Sequence, residues 1–572
     1  MKARLVLPAV CLSLALSGAI AQTTEPSQAN PPAGQPKAGD SKDVPRPAAR
    51  EMSPEQKAYS EAGKITDPQK KIEALEKFRA GFPESPLRQS ADRAILTTLV
   101  AKFPEQTDRI RKQAGSLYRG ASRGQKGRVA NDIADELLSG GVLLNVAERY
   151  AKKGVDSMRL ATYMADQVAA AQRRKRKAPS GEEMFKTFRE NRATRVATLG
   201  RIYLKMGQTA RGQRLLEESW TDNANQPAVG AALGELAAKA GNDAQALDYL
   251  VPAKLSGRSS ASADAALESV YRKMHDGSLD GLDAMLDGEY NRRFPNPLHL
   301  EDYQPTEKRS DRVVLAEVFT GSGCPPCVAA DLAFDASMER YTRKEVAVVM
   351  YHEHVPRPDP MTNPDTIARS KSYKVTGVPT YAIDGKKTVG GGGRDNTREV
   401  YDRFHGDVEK DLETPAEAHL TVGASVSGNM VSARVTVDGV EGQSKNLKLQ
   451  IALVEKKLRY TGENGVRFHS MVVRAMGGAK GEGFAVQPGQ RAMFSEKFDL
   501  DEISAAIKAH LDDYEAEGHR GESFQFREKK YQIDAHNLAL VVFVQDDETR
   551  HVLQAGYVDL GTDSDHIPTD SR

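Results

Sequence analysis

The chain is poor in cysteine and tryptophan: its 572 residues include three of the first and one of the second. Three thiols exclude a disulfide-stapled scaffold and a four-thiolate zinc site, but leave room for redox chemistry, which needs two. Hydrophobic residues make up 39% and aromatics 6%, little for one large core and enough for several smaller ones. The length points the same way, to roughly three or four domains. Neither sign of charge prevails, with 80 basic against 79 acidic residues, so bulk charge recommends neither nucleic acid nor an acidic membrane as partner. A run apolar enough to span a bilayer is also missing. The longest, Leu5 to Leu16, falls short of the ~20 residues a span needs.

That short run has another meaning. Lys2 and Arg4 precede it and Ala19-Ile20-Ala21 follows it, the charged start, apolar middle and small-residue exit of a secretory signal. Residues 1–21 are therefore expected to be removed, taking Cys11 with them and changing the balance to 78 basic against 79 acidic residues. The mature chain is expected to be exported (periplasmic, secreted or outer-membrane associated) with two cysteines. Residues 22–50, rich in Pro, Ala, Gln and Ser and free of aromatics, read as a disordered linker. The last stretch, 563–572, reads as a disordered tail.

Residues 51–304 carry a helical pattern dominated by Ala, Leu, Lys, Arg and Glu. Within it Leu199-Gly200 recurs as Leu233-Gly234, Gly207 as Gly241, Gly212 as Ala246 and Leu216 as Leu250, each 34 residues on. Small residues at such positions let paired helices approach closely, and each pair needs neighbours to cover its apolar face. The period, with Tyr203 after Gly200 and an earlier half-unit in IEALEKFRAGFPESP, resembles the tetratricopeptide repeat, which implies protein partners. An irregular helical bundle is the plainer alternative. The basic run Arg173 to Lys177 reads as a solvated surface.

From residue 305 the texture changes. Val313 to Thr320 is an apolar strand, followed by a glycine-containing turn, Cys324-Pro325-Pro326-Cys327 and a helix from Val328. A second strand from Val346, a proline-rich loop, a short helix from Thr366, a hairpin about Asp384-Gly385 and a helix from Thr397 follow, an α/β unit over 305–413. Alternating segments such as His419 to Val426 and Met430 to Val437 then predict a C-terminal antiparallel β-sandwich over 414–562, interrupted by one helix from Glu502. The predicted fold class is thus multidomain: all-α repeats, α/β domain, β-sandwich.

Two thiols separated by two residues at a helix start have chemistry to do. Unpaired backbone N–H groups and the helix dipole favour a thiolate there, and such settings lower a thiol pKa from ~8.5 into the ~3.5–7.5 range. Cys327, a turn on from Cys324, is placed to resolve a mixed disulfide.

The segments VVLAEVFTGSGCPPCVAADLAF and YKVTGVPTYAIDG resemble the thioredoxin-like family of thiol–disulfide oxidoreductases. The resemblance implies a Cys324–Cys327 redox disulfide with Cys324 as nucleophile and Cys327 as resolving thiol. It also implies a cis Pro379 opposite the pair, Val378 pairing with substrate backbone, and Glu317 as the buried acid serving Cys327. Gly323 stands where the family usually has an aromatic, which implies a flatter docking surface. The insertion YHEHVPRPDPMTNPD and the segment IALVEKKLRYTGENGVRFHSMVVR are similar to a thioredoxin-like group described as outer-membrane associated. The resemblance covers residues 312–412.

His352 and His354 invite a copper or zinc reading together with the cysteines. A hydrogen-bonding or substrate-loop role is the alternative, and no metal or cofactor is expected. His469 and Arg474 read as structural, and Gly390 to Gly393 as a bulged hairpin end, since no Lys-Ser/Thr follows to make a phosphate loop. The leading expectation is an exported oxidoreductase acting on protein disulfides and recharged by an external redox protein. An interaction scaffold with a vestigial redox fold, and metal handling, are the alternatives.

Overall fold

Alanine-rich sequence with few β-branched runs forms thirteen helices between Pro54 and Arg293 in the computed structural model, which describes residues 52–440, 444–519 and 523–561. The signal, the linker and the tail lie outside those residues.

The 34-residue period appears as repeated packing. In the pair Gly181–Lys205 and Thr209–Asp222, a methyl at Gly200 would meet Leu216 at 3.0 Å and the Gly212 carbonyl at 3.1 Å. In the pair Pro227–Lys239 and Asp243–Leu255, a methyl at Gly234 would meet Leu250 at 2.4 Å and the Ala246 carbonyl at 3.3 Å. Gly207 and Gly241 both turn the chain out of the first helix at φ +77°, a conformation that favours glycine. The helical half is therefore a helical-repeat region, its small residues placed where helices cross. The basic run Arg173 to Lys177 is exposed.

Twelve strands follow among the described residues: β1 Val314–Thr320, β2 Val346–His352, β3 Thr380–Ile383, β4 Lys386–Val389, β5 His419–Ser427 and β6 Met430–Asp438. The rest are β7 Leu447–Arg459, β8 Phe468–Met476, β9 Phe484–Ala485, β10 Ala492–Asp499, β11 Leu538–Asp546 and β12 Val552–Asp559. The helix Cys327–Arg340 joins β1 to β2, Pro364–Ser372 lies between β2 and β3, and Thr397–Leu412 follows β4. This is the element order expected for the α/β unit.

One expectation is corrected. The C-terminal strands do not form a free-standing sandwich: a single nine-stranded sheet runs β12-β11-β7-β8-β2-β1-β3-β4, with β9 on β7, and a separate three-stranded sheet runs β10-β6-β5. The two layers do pack face to face, Val431, Val435 and Val437 of β6 sharing a core with Leu449, Ile451 and Val542. The inner layer continues into the α/β sheet through β8, which joins β2 at Met350 and Val472. β8 escapes a hydrophobicity reading because it buries His469 and Arg474 along with its apolar residues. Arg474 can sit there because Glu455 on β7 faces it at 3.2 Å and the Lys530 carbonyl accepts from it at 2.7 Å.

Candidate redox site

The first strand of the α/β unit ends at Thr320, and seven residues later the chain is helical. Between them the Cys324 amide donates to the Gly321 carbonyl at 3.0 Å and the Cys327 amide to the Cys324 carbonyl at 3.1 Å. Those bonds wind the turn so that Cys324 and Cys327 are disulfide-bonded, their Cα atoms 5.3 Å apart. The helix starts at Cys327 itself, with Cys324 one turn ahead of it. The Val378–Pro379 peptide is cis, and the Val378 carbonyl oxygen lies 3.7 Å from Cys324 Sγ. The glycine run after β4 closes the other side. A methyl at Gly391 would strike the Pro326 carbonyl at 2.3 Å and the Pro379 ring at 2.5 Å, so only glycine lets this backbone lie against the turn. Gly392 in turn donates to the Pro326 carbonyl at 2.8 Å and accepts from the Ala329 amide at 3.1 Å, partnering one first-turn amide of the helix.

Both sulfurs are covered, Cys324 being 1% and Cys327 0% exposed. Gly323 does not leave a flat open surface, because a methyl there would meet Arg357 Cβ at 2.9 Å. Its lack of a side chain admits the loop that follows β2. The rest of the cover is the β7–β8 loop, residues 460–467. Its Asn464 amide donates to the Ser322 carbonyl at 3.0 Å, and the Asn464 side chain reaches the Gly321 and Cys324 carbonyls at 3.4 Å each. Val466 packs on Val328 and Leu332 of the cysteine helix. Glu463 pairs with Arg357 at 3.1 Å, and its carbonyl accepts from Arg258 of the helical region at 2.9 Å. Arg467 binds Asp287 at 2.6 Å and Asp283 at 3.1 Å. The strap at the cysteine turn is thus tied to the loop between helices Asp243–Leu255 and Ala261–Met274 and to the last helix of the repeat region, Leu282–Arg293.

A strap held by a few hydrogen bonds should loosen when they are lost. Asn464→Ala removes three of them, its two side-chain donations and the bond its Oδ1 accepts from the Val466 amide at 3.0 Å. At ~1 kcal/mol net for such losses together, reduction of the disulfide by a small thiol is expected to quicken by about fivefold. Gly257→Ala, which would drive a methyl to 1.9 Å from the Gly462 carbonyl, should do the same from the helical side. A rate unchanged in both variants would show that the strap does not limit access.

Beneath the pair, the pleat sorts the candidate acids. Thr320 faces the cysteine helix, its hydroxyl donating to Asp331 at 2.6 Å. Glu317, three residues earlier on the same strand, therefore faces the opposite side. There its carboxylate accepts from Arg369 at 2.7 Å and Tyr351 at 3.1 Å, and also from Tyr373. The expectation that Glu317 serves Cys327 is corrected on this ground. The acid on the cysteine side is Asp331, one turn after Cys327 and 5% exposed, with its carboxyl pushed up to about 7 by burial. The sequence signal was present in VAADLAFDASM, where an otherwise apolar helix carries Asp331 and Asp335 at helical spacing.

His352 belongs to β2 rather than to the loop after it, and is fully buried. Its Nδ1 lies 3.0 Å from Asp359, which also accepts from the Ser322 amide at 2.5 Å. Burial pushes the Asp359 carboxyl up, but the His352 ring and the Ser322 and Met361 amides outweigh it and hold the group far below the usual range. His352 is therefore linked through Asp359 to the turn before Cys324. His354 accepts the Asp359 amide at 2.9 Å and stacks on Tyr514 and His510 of the helix Leu500–Glu517. Burial lowers its pKa to about 4. His469 is buried against His352, with ring centroids 5.1 Å apart. Among the described residues, no group of three or more His, Cys, Asp or Glu side chains is arranged to hold a metal ion, and no helix is long and apolar enough to cross a membrane.

No protein-family model matches the chain, and no curated protein matches it. Among solved structures, it is similar to one from the functional characterization of Pseudomonas aeruginosa pilF, at 18% identity and a TM-score of 0.27, over 42% of this chain and 94% of that one.

Proposed function

We propose that this protein is an exported thiol–disulfide oxidoreductase of thioredoxin-like type, acting on protein disulfides through Cys324 and Cys327. The observation that carries the reading is the setting of the pair. A Cys-x-x-Cys disulfide at the start of a helix faces the carbonyl of a cis-proline dipeptide, with Cys324 Sγ 3.7 Å from the Val378 oxygen. An extended substrate segment would pair with the Val378 backbone and present its sulfur to Cys324. The helix dipole favours a thiolate at that end of the helix. Cys324 attacks, a mixed disulfide forms, and Cys327 displaces the substrate thiol. With the signal removed no third cysteine is left to relay electrons, so an external redox protein recharges the pair. The helical repeats supply a surface for a protein partner, and their ties to the strap make partner binding a means of uncovering the sulfurs.

The burial of both cysteines favours a second reading, an interaction scaffold whose disulfide is static. The reduction potential of the pair in the mature full-length protein separates the two. Oxidoreductases of this kind span about −270 to −120 mV, and structural disulfides lie below about −300 mV. The first reading expects a value inside that span, with reduction or oxidation of insulin as a model protein. A potential below −300 mV without exchange activity would establish the static disulfide instead.

A further inference from the structure

Cys327, Asp331, Asp335 and Glu339 recur at every fourth position of the helix Cys327–Arg340. At 3.6 residues per turn each step brings the next side chain over the last and drifts it by ~40° around the axis. The stripe accordingly winds outward: Cys327 and Asp331 are buried, Asp335 is half-buried and Glu339 is exposed. Two oxygens along it, Asp331 Oδ2 and Asp335 Oδ1, are buried with no hydrogen-bond partner. A buried carboxylate oxygen without a donor is costly, whereas a carboxyl that holds a proton there is not.

We propose that Asp331, Asp335 and Glu339 form the path along which the Cys327 thiol proton travels to solvent, an inference that rests on the oxidoreductase reading. In the step it serves, Cys324 is already joined to a substrate sulfur. The Cys327 thiol gives its proton to Asp331, the Cys327 thiolate attacks Cys324 Sγ, the Cys324–Cys327 bond forms and the Cys324–substrate bond breaks. The dithiol loses two electrons to the substrate disulfide, whose sulfurs depart as thiolates that take protons from solvent. Asp331 passes its proton to Asp335 and Asp335 to Glu339. In the reverse direction the same stripe brings a proton in.

The surroundings suit the task. Facing Asp331 are the Thr320 hydroxyl on β1, His352 on β2 and Asp359 in the loop after it. Facing Asp335 are Ser470 on β8 and Lys457 on β7, with Glu339 a turn away on the same helix. Burial pushes the Asp331 carboxyl to about 7 and the Asp335 carboxyl to about 6, so both exchange protons near neutrality, where general acids and bases work best. Each also disfavours ionisation of its neighbour, because like charges repel. Glu317 is not an alternative, since its carboxylate lies on the far face of β1 with Arg369.

The test follows resolution of the mixed disulfide between the reduced full-length protein and insulin by acid quench across pH 5–9. The wild-type rate should rise through about pH 7 as Asp331 ionises. Asp331→Asn should slow it on the order of 10²-fold at neutral pH and flatten the rise. Asp335→Asn, which keeps the shape of a half-buried site and should fold, is expected to slow resolution and move the midpoint to lower pH, because a like charge beside Asp331 is gone. Alkylation of Cys324 in the Cys327→Ser background should be unchanged by either. A wild-type profile in Asp331→Asn, or in Asp335→Asn, overturns the path while leaving the redox reading intact. Absence of any insulin adduct on Cys324 in Cys327→Ser overturns the redox reading and the path with it.

Discussion

Cys324→Ser is expected to abolish disulfide exchange entirely, whereas Cys327→Ser should lose turnover but keep the first half-reaction. The asymmetry follows from position. Cys324 lies beside the Val378 carbonyl, where a substrate strand would dock, while Cys327 is fully buried behind it at the first helical position. A substrate sulfur that reaches the pair meets Cys324 first. Without the buried second thiol the mixed disulfide has no intramolecular attacker, and an intramolecular attacker is worth effective concentrations far above those of any free thiol. Cys327→Ser should therefore hold a stable adduct, and the double variant should hold none. An insulin-turbidity assay reads the loss of turnover, and gel mobility under non-reducing conditions reads the adduct. Equal behaviour of the two single variants would deny them distinct roles.

Arg369→Met is expected to be the most destabilising single change in the α/β unit, at about 3–5 kcal/mol in chemical denaturation. Arg369 is buried, donating to Glu317 at 2.7 Å and Gln545 at 2.6 Å, with its guanidinium 5.0 Å from the Tyr373 ring and 5.1 Å from that of Phe543. Methionine fills much of the space but leaves the Glu317 carboxylate, which is 0% exposed, without its counter-charge. Breaking such a pair on one side is far more harmful than removing both members. The double variant Arg369→Met/Glu317→Leu should recover most of the loss. Since Glu317 faces away from the cysteines, Glu317→Gln should lower stability and leave the pH profile of disulfide resolution unmoved. A profile that shifts would return Glu317 to the redox chemistry.

Much of this architecture was legible in the sequence because its signals are local. The 34-residue spacing of Gly200 and Gly234 marks the places where helices cross, and the crossings are found there. The Asp384-Gly385 turn pairs β3 with β4, with Gly385 at φ +84°. The misses are matters of long-range contact. A strand such as β8, whose buried His469 and Arg474 are partnered by β7 and distant loops, has no amphipathic period to betray it. The fusion of the two expected sheets rests on β8 and could not be read without it. Glu317 and Asp331 are both acids within ten residues of the cysteines, and only the pleat of β1 decides which lies on the cysteine side. The strap was the least legible feature. Asn464, Gly462 and Glu463 look like an ordinary turn, and their importance comes from carbonyls of residues 321–324 and from Arg258 and Arg357, all distant in sequence.

The central claim is that Cys324 is a nucleophile and not half of a fixed cross-link. Intact-mass and peptide mass spectrometry of full-length Cys327→Ser protein incubated with insulin tests it most directly. The expected result is one insulin chain joined to Cys324, released by reductant, and formed faster when Asn464→Ala is added to loosen the strap. No adduct with either protein, under conditions in which Cys324 is shown to be a free thiol, would contradict the claim.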